Sequence, residues 1–219
     1  VSFIPDKSVD AVMTDPPYYD SIKYAKLADF FYVWLRILLR DRYDWFKAKT
    51  SARTGEIIVN SNSDSFVEGL VKVFSECYRI LKDGGLLAFT FHHTSTWAWE
   101  GIHKALERSG FVVTAVPIVR SEGRTGYRKA GSINHDVCIV CRKVTQVMRN
   151  EPYEESKILE KSIELAKRLC KLNGELSDSD IFTILMGQGM RLDADVYSQI
   201  AKDQSSYVQA IKSNLSRRK

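Results

Sequence analysis

Along most of this chain, apolar residues come in short bursts punctuated by residues that turn the backbone. The first burst, Val9-Asp10-Ala11-Val12-Met13-Thr14, stops at Asp15-Pro16-Pro17, because consecutive prolines continue neither a strand nor a helix. A strand ending at Asp15 is therefore expected. From about Tyr24 to Arg40, the apolar positions Leu27, Phe30, Phe31, Trp34, Leu35 and Leu38 recur at helical spacing. They predict a helix directly after the Pro-Pro turn. The stretch Tyr43–Ser63 is polar, irregular and basic and predicts a mobile loop of the kind that closes over a substrate. An amphipathic helix is expected over Phe66–Leu81, with Ser63, Asp64 and Ser65 as cap candidates and Lys82-Asp83-Gly84-Gly85 as its stop. A strand over Leu86–Phe91, a helix over Trp97–Ser109, the stop residue Gly110 and a strand over Phe111–Val119 follow. After the basic segment Ser121–Ser132, Asp136–Arg142 supplies another strand.

Alternation of this kind predicts an α/β fold with a mainly parallel sheet covered by helices, its last strand suited to antiparallel pairing. Beyond Asn150 the pattern changes to charged helices, roughly Tyr153–Leu172, Ser177–Met186 and Ala194–Leu215. Residues 1–147 are accordingly assigned to the α/β part and 148–219 to a C-terminal helical appendage. No internal repeat or low-complexity segment is present.

With 219 residues, 44% apolar and 27% charged, the chain is long enough for one real core and is neither disordered nor fibrous in composition. The longest apolar stretch, Phe30–Leu39, is interrupted by Arg36 and falls short of the ~20 residues that cross a bilayer. It predicts a buried helix and no membrane anchor. The start, Val1-Ser2-Phe3-Ile4-Pro5, lacks the features of a signal peptide and reads as a cut inside a longer protein. Four scattered cysteines fit a reducing cytoplasm. Cys138 and Cys141 have zinc-like spacing but lie in an apolar strand, where residues three apart face opposite sides. Buried strand cysteines, and no metal, are expected.

The net charge of +5 is modest, but basic residues cluster twice. Arg36, Arg40, Arg42, Lys47, Lys49 and Arg53 form one group, and Arg120, Arg124, Arg128 and Lys129 the other. Such clusters suit a phosphate backbone, and ordinary solvated surface explains them as well.

The chemistry concentrates at Asp15-Pro16-Pro17-Tyr18, at the carboxyl end of a strand, where an open α/β sheet forms its ligand crevice. An exocyclic amine on adenine or cytosine is a poor nucleophile, because its lone pair is delocalised into the ring. A catalyst must accept hydrogen bonds from that amine and turn the lone pair toward the methyl donor. Asp15 and the Pro16 carbonyl can accept the two amine hydrogens, with most of the rate coming from orientation. Tyr18 offers an aromatic face to a base that has left the duplex. A rigid turn with a packed tyrosine is the plainer alternative.

These residues resemble the catalytic motif of amino-directed DNA methyltransferases. Thr14-Asp-Pro-Pro-Tyr-Tyr-Asp20, His92-His93, Ala98-Trp99-Glu100 and Cys141-Arg142-Lys143 are more closely similar to prokaryotic adenine-specific DNA methylases associated with a zinc ribbon. The resemblance spans about Ser8 to Lys143, the C-terminal portion of the catalytic domain. It implies a partial Rossmann-like methyltransferase sheet, S-adenosylmethionine as donor and DNA adenine as acceptor. In that family arrangement the glycine-rich donor loop precedes the catalytic motif. Nothing before Asp15 here can serve, so the missing half is expected from a longer protein or a separate chain.

Tyr19 and Asp20 are candidates to contact the donor or the base, although both also make ordinary turn residues. His92 or His93 is a candidate pocket wall, against the commoner role of a structural histidine. Adjacent strand residues point to opposite faces and do not easily share a metal. Trp97 and Trp99 at helical spacing are expected in the core. Methylation of an RNA guanine or a protein glutamine, and a noncatalytic nucleic-acid-binding fragment, are the competing readings.

Overall fold

A computed structural model describes residues 3–16, 18, 24–51, 57, 63–121, 133–144 and 154–216. Among the described residues the sheet has five strands, namely β1 (Val9–Thr14), β2 (Leu81–Phe91), β3 (Phe111–Ala115), β4 (Ile118–Arg120) and β5 (His135–Lys143). The spatial order is β1-β2-β5-β3, with β4 also paired to β5. β1 and β2 are parallel, while β2, β3 and β4 all pair antiparallel with β5. The strands β1 to β4 thus share one direction. The reversed β5, inserted between β2 and β3, is the antiparallel last strand that the sequence pattern anticipates, but its insertion makes three of the four pairings among the described residues antiparallel, so the expected mainly parallel sheet is corrected.

The helices are α1 (Tyr24–Leu39), α2 (Ser63–Ile80), α3 (Thr96–Arg108), α4 (Glu155–Asn173), α5 (Asp178–Gly189), α6 (Ala194–Lys202) and α7 (Gln204–Ser216), with a 3-10 turn at Asp44–Phe46. One face of the sheet carries the core. Leu87, Phe89 and Phe91 of β2 and Val137, Ile139 and Cys141 of β5 are all buried, and they stand side by side across the antiparallel register. Phe74 of α2 stacks on Phe89 at 5.4 Å, and Trp99 of α3 meets Phe91 edge-on at 4.8 Å. On the other face, Leu86, Thr90, Cys138, Val140 and Arg142 are only half-buried.

The C-terminal helices extend the same core. α5 lies so close to β5 that a Cβ on Gly187 would come within 2.6 Å of Val137, so only glycine admits this approach. His103 of α3 stacks on Tyr197 of α6 at 4.8 Å and bonds the Leu192 carbonyl at 2.8 Å. At the joint, Asp180 of α5 receives His135, the Asn134 amide and Ser177. Burial alone would raise that carboxyl, but the hydrogen bonds from His135, Ser177 and Asn134 outweigh it and hold Asp180 well below the usual carboxylate range.

Several local expectations are corrected. The presumed helix stop Lys82–Gly85 belongs to β2, as a bulge. Val9 pairs with Leu81 and Ala11 already with Leu86, so the extra residues loop out of the ladder. The strand expected over 111–119 breaks at Val116-Pro117, since a proline cannot donate to a ladder. The last helix breaks at Asp203.

The largest correction concerns α1, expected to be buried. None of its residues is buried, and Leu27, Phe30, Phe31, Trp34 and Leu38 are 61–73% exposed. Its polar side is occupied instead. Asp29 accepts from the Ser51 amide and hydroxyl, and Arg36 and Tyr32 donate to the carbonyls of Ala48 and Trp45. Amphipathic spacing shows that a stripe seeks cover without supplying the cover. Among the described residues no helix is long and apolar enough to cross a membrane.

Candidate active site

The strand register assembles the site. Thr14 pairs with Phe89 in the parallel ladder, so the next residues, Asp15 and Thr90, come side by side where β1 and β2 end. Thr90 donates its hydroxyl to Asp15 Oδ1, and Tyr18 donates to the same oxygen at 2.6 Å. The Tyr18 and Thr90 oxygens are 3.0 Å apart. With both protons directed into the carboxylate, that third edge of the triangle carries none. Oδ2 of Asp15 makes no hydrogen bond among the described residues, and the side chain is exposed. Pro16 is buried and fixes the turn beneath it.

Tyr18 is half-buried. Its ring meets Phe91 edge-on at 5.4 Å and His92 at 4.8 Å. Burial, and then the hydrogen bond to Asp15, push its hydroxyl well above the ordinary tyrosine range, so it acts as a donor that keeps its proton. His92 in turn bonds Asp136 through Nδ1. Phe91 pairs with Val137 across the antiparallel ladder, which sets His92 beside Asp136 in the same way that β1 sets Asp15 beside Thr90.

The two adjacent histidines part company, as alternation demands. His92 turns to Tyr18, whereas His93 is 7% exposed, accepts the Ser95 amide at its Nδ1 and packs on Trp97 at 5.1 Å. Of the tryptophans expected in the core, Trp99 is fully buried but Trp97 is 37% exposed.

Arg120 is exposed at the carboxyl end of β4, the same end of the sheet as Asp15. Lys47 and Lys49 are exposed on the segment after α1, and Lys47 pairs with Asp44 at 2.6 Å. Pro17, Tyr19, Asp20, Arg53, Arg124, Arg128 and Lys129 lie outside the described residues. Among the described residues, no group of three or more His, Cys, Asp or Glu is placed to hold a metal ion. Burial raises the thiols of both Cys138 and Cys141. Thr90 and Asp136, which contact the key residues, carry no local signal of their own and emerge only from the pairing.

The model of the DNA methylase family matches residues 9–207, which includes β1, the whole sheet and the helices α4 to α6. The chain belongs to the DNA methylase family. No curated protein matches it. Among solved structures, three crystal structures of a Thermus thermophilus protein provisionally described as a DNA modification methylase are similar, one of them complexed with S-adenosyl-L-methionine. They are 15–16% identical, with TM-scores of 0.36–0.38, covering 93–94% of this chain and 88–90% of that one. A likeness so low carries no point of mechanism.

Proposed function

We propose that this chain carries the base-binding and catalytic half of a DNA methyltransferase, with adenine as the acceptor and Asp15 as the catalytic residue. The observation that supports this most is the Asp15 carboxylate. It is exposed at the carboxyl end of β1, steered by two hydroxyls on Oδ1 and open at Oδ2. Oδ2 accepts one hydrogen of the exocyclic amine and the Pro16 carbonyl accepts the other, so the lone pair leaves the ring plane. Tyr18 presents its ring to the extruded base, and His92 forms the adjoining wall, with Pro17 completing the motif in sequence. Asp15 takes the surplus proton once the amine has gained its methyl group. Lys47, Lys49, Arg53, Arg120, Arg124, Arg128 and Lys129 contact the phosphate backbone, which sets affinity but not base identity.

S-adenosylmethionine supplies a methyl group activated on a sulfonium. The residues present fit one end of it. A carboxylate beside aromatic rings suits the cationic centre, and Tyr19 and Asp20, next in sequence, are the further candidates to contact the donor, whereas the described residues include no glycine-bearing strand-to-helix turn for its nucleoside. The edge of β1, unpaired among the described residues, and the uncovered stripe of α1 support docking of a further polypeptide that supplies that wall. Parallel strands ordinarily lie inside a sheet with both edges paired and both faces covered. The free thiols of the four cysteines suit a cytoplasmic setting.

The test is transfer of isotope-labelled methyl from S-adenosylmethionine to unmethylated DNA by the chain together with its adjoining polypeptide, read by mass spectrometry of nucleosides. Label on adenine N6, lost in Asp15→Ala, is expected. Label on cytosine N4, RNA or protein would change the acceptor and keep the carboxylate's role. Full activity in Asp15→Ala would overturn the site.

A further inference from the structure

A groove of about 570 Å³ opens between the loop that follows β2 and the first turns of α5 and α7. It lies near the site above through two successive residues whose rings turn to opposite sides of the chain. His92 packs on Tyr18, and its neighbour His93 packs on Trp97, which lines the groove. The loop leaves the carboxyl end of β2, so the groove and Asp15 share one end of the sheet. Trp97 is partly exposed there while Trp99, two residues on, is fully buried.

The opposite wall is one face of α7, on which Gln204, Gln209 and Lys212 fall within a single arc. Lys212 is paired with Asp178 at 2.8 Å, so the charges in the lining cancel. The Gln204 and Gln209 amides and the Thr94 and Thr96 hydroxyls make no hydrogen bond among the described residues. A lining that is neutral, rich in uncommitted donors and acceptors, and faced by an indole does not suit phosphate, which wants unpaired cations. It suits a nucleobase, whose edge a glutamine amide reads and whose face an indole stacks.

We propose that this groove binds the nucleotide adjacent to the methylated base, with Trp97 stacking on it and Gln204 and Gln209 reading its edge. The helices after residue 154 then contribute to sequence choice. The inference rests on the DNA reading of the Asp15 site and deepens it, because a base drawn toward Asp15 brings its neighbour on the same strand toward the groove.

The probe is a short duplex with one unpaired adenine and 5-iodouracil placed either next to that adenine or several positions away. It is irradiated with the full chain together with its adjoining polypeptide, and the adducts are located by peptide mass spectrometry. Adducts on Trp97 are expected only from the adjacent position. Their yield should fall by roughly tenfold or more in Gln204→Ala/Gln209→Ala, in line with loss of an edge contact. Retained DNA with adducts confined to other residues, Trp97 adducts independent of position, or an unchanged yield in the double variant would each overturn the groove and leave the Asp15 site standing. Failure to retain DNA at all would instead remove the DNA reading and this inference together.

Discussion

At the scale of single residues, the site depends on one carboxylate whose surroundings come from distant sequence. Thr90 lies 75 residues from Asp15, and Asp136 lies 44 from His92. The Asp-Pro-Pro-Tyr run is legible because its residues are chemically conspicuous and the prolines announce a break. Thr90 and Asp136 are not, because only strand register gives them their partners. Two substitutions separate the functions of Tyr18. Tyr18→Phe keeps the ring against Phe91 and His92 and removes one donor from Asp15, so single-turnover methyl transfer should fall by roughly tenfold. Tyr18→Ala also removes the stacking face, a further ~1 to 3 kcal/mol. Equal rates in the two variants would assign the whole effect to the hydroxyl and leave the ring no part in holding a base.

At the scale of elements, α1 and α3 show how far periodicity reaches. Both carry a tryptophan at an apolar helical position, yet Trp99 is completely buried and Trp34 is 63% exposed. The spacing is the same, and only the presence of packing partners differs. In urea unfolding of the isolated chain, Trp99→Ala should cost about 3 to 5 kcal/mol. Trp34→Ala should stay within about 0.5 kcal/mol. A large loss at Trp34 would mean that the stripe on α1 is already covered within this chain, and would remove the case for a docking polypeptide. The open edge of β1 belongs with that stripe, since Ala11 and Met13 are exposed on it.

At the scale of the whole molecule, Asp180 joins the C-terminal helices to the sheet through His135 and Asn134. Because its folded pKa is depressed, its stabilising effect is present above the unfolded aspartate value of about 3.9 and is lost as pH falls below that toward the folded value. Asp180→Ala should therefore destabilise the chain by about 3 to 5 kcal/mol near neutral pH, the penalty for orphaning buried partners. The difference from the parent should shrink as pH drops below ~4. A difference in midpoint that does not change across that range would show that the carboxylate's charge has no part in the joint.

By itself, the sequence determined what depends on a few neighbouring residues. The break after Thr14, the helical spans, the left-handed turn at Gly110 (φ 80°) and the conspicuous carboxylate follow from backbone sterics and periodicity within a window of a few residues. Tertiary structure decided which elements meet. It inserted β5 between β2 and β3, gave Asp15 its two hydroxyls, turned His92 toward Tyr18 and His93 toward Trp97, and left the apolar stripe of α1 uncovered. These outcomes turn on long-range register and on whether a partner surface is present. A local pattern encodes the demand for a partner, while the position of that partner is set by the whole chain.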